Sequence, residues 1–164
     1  MVIGGQALLI YGEPRLTKDI DITLGVGTEE LGKLKNAVEN LGLKILPDYP
    51  EDFVKKTMVF PCLDEASGIR VDFIFSFSHY ERQAIDKSRP VKLGRISVRF
   101  ASLEDVVIHK VIAGRARDIE DIKSLLLKNP CYDGKYIDGW LEQFDRSLNG
   151  SFLELFKKIV GETA

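Results

Sequence analysis

The tightest constraint in this sequence is Asp19-Ile20-Asp21-Ile22. Strict alternation of acid and isoleucine reads as a β-strand, because successive side chains on a strand point to opposite faces. Asp19 and Asp21 then share one face, and Ile20 and Ile22 the other. Two neighbouring carboxylates repel each other unless something positive sits between them. A hard divalent cation such as Mg²⁺ suits the position, since it takes oxygen ligands and is held by one or two carboxylates plus phosphate oxygens. Upstream, the apolar run Val2-Ile3 breaks at Gly4-Gly5 and leads into Ala7 to Tyr11, long enough for a short helix that Gly12 and Pro14 end. A glycine pair before a helix bares backbone N–H groups, which suits phosphate.

The 164 residues are enough for one domain, or for one domain with a helical annex. The formal net charge of −2 advertises no global attraction to nucleic acid. From His79 to Arg99 six basic residues face two acids, a run that reads either as a solvated loop and strand face or as a local anion surface. Cys62 and Cys131 read as free thiols of a reducing compartment rather than a disulfide framework. No apolar run reaches the ~18 residues of a membrane span and no leader is legible, so a cytoplasmic protein is expected.

Along the chain, Thr28 is a candidate N-cap for a helix whose stripe is Leu31, Leu34, Val38 and Leu41. Leu43 to Leu46 reads as a strand, Pro47 to Asp52 as a turn, and Phe53 to Phe60 as a further strand. Ile69 to Phe77 alternates again: Val71, Phe73 and Phe75 share one face, and Arg70, Asp72 and Ile74 the other. Asp72 is thus an acid inside an apolar strand, where a buried charge needs a partner. It is either a surface carboxylate or the third member of a cluster with Asp19 and Asp21. Arg95 to Phe100 reads as a strand with Ile96, Val98 and Phe100 inward.

Helices are expected from there on. Ser102 caps Leu103 to about Gly114, on which Lys110 falls among the apolar positions. An ammonium there must snorkel, pair with an acid such as Asp118, or reach an anion. Further helices run from about Asp118 to Leu127, Tyr136 to Phe144 and Ser151 to Val160. Ser151 and Glu154 have the spacing of a capping box. The stripes around Trp140 and Phe156 read as core.

Gly4-Gly5, thirteen intervening residues, Asp19-Ile20-Asp21 and a later Asp72 together resemble the nucleotidyltransferase superfamily with the DNA polymerase β-like fold. Lys110-Val111-Ile112-Ala113-Gly114-Arg115-Ala116-Arg117-Asp118-Ile119-Glu120-Asp121, with Arg15-Leu16-Thr17-Lys18, resembles its AbiEii-type toxin branch. The resemblance covers roughly residues 2 to 127. Many relatives carry Gly-Ser where this chain has Gly4-Gly5, and a helix before the first strand.

The resemblance implies an α/β (α+β) fold: a small mixed sheet of about five strands flanked by helices, with a C-terminal helical annex. The expected division is an α/β core over residues 1–101 and a helical region over 102–164 packed on it, closing one side of a cleft. It implies transfer of a nucleotidyl group from a nucleoside triphosphate such as ATP to an acceptor hydroxyl on RNA (tRNA among them), protein or a small molecule. A toxin–antitoxin or defence role, with an antitoxin or toxin as partner, goes with it. Asp19, Asp21 and Asp72 would be catalytic and hold two Mg²⁺ ions. Gly4, Gly5, Arg15, Lys110 and Arg117 would bind the nucleotide, with Thr17, Asp118 and Asp121 in support. Alternatively Arg115 pairs with Asp118 and Arg117 with Asp121 along one helix, and Asp118 and Asp121 orient Lys110. A non-catalytic antitoxin or regulatory binding module of the same fold is the competing expectation.

Overall fold

Backbone alternation decides which side chains share a surface here, so the strands come first. The computed structural model describes residues 1–14 and 16–163. They fall into two compact units, Met1–Gln6 with Leu16–Ala101 and Ala7–Arg15 with Ser102–Ala164. The first holds a seven-stranded mixed sheet. Its strands are β1 (Val2–Ile3), β2 (Asp19–Thr23), β3 (Lys44–Ile45), β4 (Val59–Asp64), β5 (Ile69–Ile74), β6 (Arg89–Leu93) and β7 (Ile96–Phe100), ordered β3-β4-β5-β2-β1-β7-β6. The β2–β5 and β1–β7 pairs are parallel and the rest antiparallel.

One face of β2, β4 and β5 carries the apolar half of each alternation. Phe60, Cys62, Val71 and Phe73 pack there with Ile20 and Ile22, and with Val38 and Val54 from two helices, α2 (Leu31–Asn40) and α3 (Pro50–Thr57). Burying a large apolar side chain stabilises by about 1.5–3 kcal/mol. That face therefore fixes the register, since a one-residue slip would exchange the isoleucines for the aspartates. Asp19, Asp21, Arg70, Asp72 and Pro61 are left on the opposite face.

The mixed α/β class is as expected, but the sheet has seven strands rather than about five. Residues 50–57, expected to divide between a turn and a strand, form α3 instead. Pro50 opens it, where a fixed φ and a missing N–H cost nothing. Glu51 and Asp52 sit in the first turn and Lys55 and Lys56 in the last, matching the helix dipole. Met58 then turns left-handed (φ 60°), and the strand begins only at Val59.

The basic run is also more ordered than a loop. It contains α4 (His79–Lys87), capped by Ser78 accepting from the Glu81 amide, and the β6–β7 hairpin. Arg99 donates to Ser88 Oγ (2.7 Å) and to the Ile85 carbonyl (3.1 Å), at the carbonyl end of α4 where a cation is favoured. Ile96, expected inward, is 68 % exposed: it stands at the hairpin end of β7, whereas β1 pairs with that strand only at Phe100, which is buried. Thr28 lies in a 3₁₀ turn (Thr28–Glu30), and Glu30, not Thr28, holds the cap position of α2.

The second unit contains α5 (Leu103–Ala113), α6 (Ala116–Lys128), α7 (Gly134–Leu148) and α8 (Phe152–Thr163). The chain first enters it within α1 (Gly4–Leu9). Ala7, Leu8 and Tyr11 are buried, and the following loop is clipped to the end of α6. There Lys128 Nζ reaches Glu13 (2.6 Å), and Asn129 Nδ2 donates to the Tyr11 carbonyl (3.1 Å). Val107, Ile108, Ile122, Leu125, Ile137, Leu141, Phe156 and Ile159 form its apolar interior. Asp105, fully buried, accepts from the Ser102 and Tyr136 hydroxyls (2.6 and 2.9 Å). Burial, and then the charge of Asp105, pushes the Tyr136 phenol up. The first amides of α8 donate to the Asp145 carboxylate. Among the described residues no helix is long and apolar enough to cross a membrane.

Candidate active site

Parallel pairing of β2 with β5 puts Asp21 directly opposite Asp72, and Asp19 opposite Arg70. Neighbouring strands lie about 4.8 Å apart. The three acids thus occupy adjoining positions on one face. Across the sheet the row runs Ile3, Asp21, Asp72, Pro61. Asp19 is exposed, and Asp21 and Asp72 are half-buried.

Gly4 and Gly5 border this row for steric reasons. Gly4 has φ +64°, and a β-carbon there would lie 2.2 Å from Asp21 Oδ2. One on Gly5 would lie 2.2 Å from Thr17 Cγ2. Thr17 is itself held by Gln6 Nε2, 2.6 Å from its Oγ1. The absence of side chains on the glycine pair is what allows the Asp21 carboxylate and Thr17 their places. Expected contacts of Arg15 lie outside the described residues.

The residue that sequence reasoning missed is Arg70. Its Nε is 2.7 Å from Asp72 Oδ1, with the guanidinium half exposed. The signal was present, since Arg70 and Asp72 are two apart in an alternating strand. Asp72 is also felt on the covered face: burial first, and then its charge, pushes the Cys62 thiol up to about 11.

A divalent cation is the group these residues suggest. Asp21 and Asp72 supply carboxylate oxygens from adjoining positions, and the bare Gly4 backbone leaves the Asp21 carboxylate its space. That donor set fits Mg²⁺, which completes its shell with water and phosphate oxygens. Among the described residues no three His, Cys, Asp or Glu side chains already converge on one point. Asp72 shares its Oδ1 with Arg70, which leaves Oδ2 as the oxygen to offer a cation.

In the helical unit the structure brings Lys110, Asp118 and Asp121 together. Lys110 Nζ is 2.9 Å from Asp118 Oδ1 and 2.5 Å from Asp121 Oδ2, and all three residues are at least nine-tenths buried. Arg115 adds a second cation, its Nε 2.6 Å from Asp118 Oδ2. Burial alone would raise the Asp118 carboxyl. The hydrogen bonds and charges of Arg115 and Lys110 outweigh it and hold the group below its ordinary range. Arg117 is exposed, and Asp121 is bonded to Lys110.

The family model described as "Nucleotidyltransferase of unknown function (DUF6036)" matches residues 1–134. No curated protein matches the sequence. Among solved structures, the fold is similar to that of an antigenic nucleotidyltransferase-like protein from Paracoccidioides brasiliensis, with a TM-score of 0.52 and 16 % identity. The match covers 76 % of this chain and 66 % of that one, so the chain spans just under two thirds of the other protein.

Proposed function

The chain belongs to the DUF6036 family of nucleotidyltransferases of unknown function, and from that premise we propose that it moves a nucleotidyl group from a nucleoside triphosphate to an acceptor hydroxyl. The observation that carries this reading is Asp21 opposite Asp72 in adjacent parallel strands, with Asp19 on the same face and Gly4 bare against Asp21. Paired carboxylates beside a bare glycine backbone suit a metal-bound triphosphate, since Mg²⁺ is held by one or two carboxylates plus phosphate oxygens; Arg70 offsets the charge of Asp72.

In this reaction the acceptor oxygen bonds to the α-phosphorus as the bond to the bridging oxygen breaks, and pyrophosphate leaves. Asp72 takes the hydroxyl proton. Asp19 and Asp21, with Asp72, would hold Mg²⁺, which when bound neutralises charge on the phosphate and leaving-group oxygens. Arg70 holds one oxygen of Asp72, so the other serves these purposes unless Arg70 moves away. Lys110, oriented by Asp118 and Asp121 with one N–H donor to spare, and Arg117 are cations of the helical unit suited to an anionic ligand. The Lys110–Asp121 block further supports an AbiEii-like assignment and, with it, a toxin–antitoxin or defence role.

One observation favours a second reading. Arg70 already neutralises Asp72, as suits a non-catalytic antitoxin or regulatory module that keeps the fold and binds without turnover. The two separate on one assay. Each nucleoside triphosphate is incubated with Mg²⁺ and candidate acceptors, with mass analysis of the products, for the wild type and Asp21→Asn. Transfer by the wild type alone supports the enzyme. No transfer by either supports the module.

A further inference from the structure

Next to the acid row lies a cavity of about 560 Å³ that the proposed chemistry does not yet use, a volume within the range of small-molecule sites. Its apolar wall is made by Leu46 and Tyr49 from the β3–α3 connection, Phe53 of α3 and Pro61 of β4. Its polar lining is Asp48, Asp52, Lys56 and Arg70. Tyr49 is 77 % exposed and Phe53 38 %, so neither ring is consumed by the core. Two aromatic rings on one open cavity offer a ligand a π-surface.

The position relative to Asp72 gives the cavity its meaning. In the row Ile3, Asp21, Asp72, Pro61, the Gly4–Asp21 end lies to one side of Asp72 and the cavity to the other. Arg70 belongs to both, lining the cavity and bonded to Asp72. Asp72 itself does not line the cavity, but its cross-strand neighbour Pro61 and its partner Arg70 both do. The triphosphate would lie on the far side.

We infer that the cavity formed by Tyr49, Phe53, Pro61, Lys56 and Arg70 binds the acceptor, and that the acceptor is a nucleotide presenting a ribose hydroxyl. The rings and Pro61 give a stacking surface for a nucleobase, since any base offers a π-face to an aromatic side chain. Asp48 and Asp52 accept from base amino groups or sugar hydroxyls. Lys56 and Arg70 offer charge to its phosphate. The ribose oxygen then bonds to the α-phosphorus of the donor, pyrophosphate departs with the bridging oxygen, and the hydroxyl proton passes to Asp72. The assignment of this ligand as acceptor rests on the transferase reading; its binding does not.

The same chemistry is offered by a free mononucleotide and by the 3′-terminal nucleotide of an RNA. The full chain is therefore titrated, without metal, with adenosine monophosphate and with a fluorescent oligoribonucleotide bearing a free 3′-hydroxyl. Calorimetry and polarisation report binding for the wild type, Tyr49→Ala and Phe53→Ala, with circular dichroism to confirm folding. At least one ligand binds, and each variant weakens it about ten-fold or more, as loss of a base stack should. Tighter binding of the oligonucleotide identifies an RNA end, and tighter or equal binding of the mononucleotide a free nucleotide. If neither ligand binds, or Tyr49→Ala binds both as wild type does, the inference is overturned. Tyr49 is exposed enough that its variant keeps the fold. Ring-dependent binding without transfer to any acceptor leaves the pocket standing and removes the transferase reading.

Discussion

Gly4 and Asp21 are packed so closely that a β-carbon on the glycine would stand 2.2 Å from the carboxylate oxygen. The close approach ties the start of α1 to the strand that carries the acids. Replacing Gly4 by alanine should therefore do two things. The positive φ of +64° costs on the order of 1–2 kcal/mol for any L-residue, and the methyl must displace the Asp21 carboxylate. Gly42→Ala is the control, because Gly42 has a similar φ of +70° and open space around its missing β-carbon. Urea unfolding of both variants should show a larger loss for Gly4→Ala, with nucleotide transfer falling only there. Equal losses would mean that Asp21 yields at no cost.

Substitution of the acids separates chemistry from stability. Asp21→Asn and Asp72→Asn should each abolish Mg²⁺-dependent transfer while circular dichroism stays native. Asp72→Asn also removes the pair with Arg70, but that guanidinium is half exposed, so the loss should stay within ~1 kcal/mol. Wild-type turnover by either variant would dismiss the paired carboxylates as the reacting centre.

The acid strand was legible in the sequence because alternation fixes faces without reference to any partner strand. Asp72 was legible as an anomaly, an acid in an apolar strand. Its pairing with Asp21 was not, since parallel register depends on which strands meet, and nothing local encodes that. Helix α3 was misread because the apolar residues Phe53-Val54 and Met58-Val59-Phe60 were joined into one strand across Lys55-Lys56-Thr57, while Pro50 and the ordered charges Glu51, Asp52, Lys55 and Lys56 carried the helical signal. Lys110 was legible as a charge out of place. The sequence also offered Asp118 and Asp121 as the acids that orient it, and both bond to Lys110 across the α5–α6 turn.

The two cysteines should report the sheet separately from the helices. Cys62 is buried against the core with its thiol pushed up to about 11, whereas Cys131 is exposed. At pH 8 a thiol reagent should titrate one cysteine per native chain and two in denaturant. The thiolate fraction alone should slow Cys62 on the order of 100-fold. Rapid labelling of both in the native protein would contradict the packing of β4.

Lys110→Met tests the buried cluster. A similar apolar stem in place of a lone buried ammonium would leave stability unchanged or raise it, and that holds only if no acid depends on the charge. Asp118 and Asp121 are 2 % and 8 % exposed and both bond to Lys110. Breaking a buried pair from one side costs about 3–5 kcal/mol. The single variant should therefore lose much of its stability in urea, and Lys110→Met combined with Asp121→Leu should recover part of it. A single variant as stable as wild type would show that the acids find other partners.

Asp118 should also set part of the acid sensitivity. Its folded-state carboxyl lies below the ordinary value because Arg115 and Lys110 outweigh the effect of burial. In the unfolded chain it titrates near ~3.9. Between the depressed folded value and that pH the unfolded state binds the proton and the native state does not, so stability rises with pH across the window. The contribution is complete above about pH 5 and is lost as pH falls through the folded value. Arg115→Ala removes one of the two cations, raises the folded-state carboxyl and should narrow the window from below, with less stability left to lose. Urea midpoints from pH 6 down to pH 3 for both proteins decide it. The wild type should fall more steeply below pH 4 than Arg115→Ala, and parallel curves would mean that Lys110 alone holds the charge.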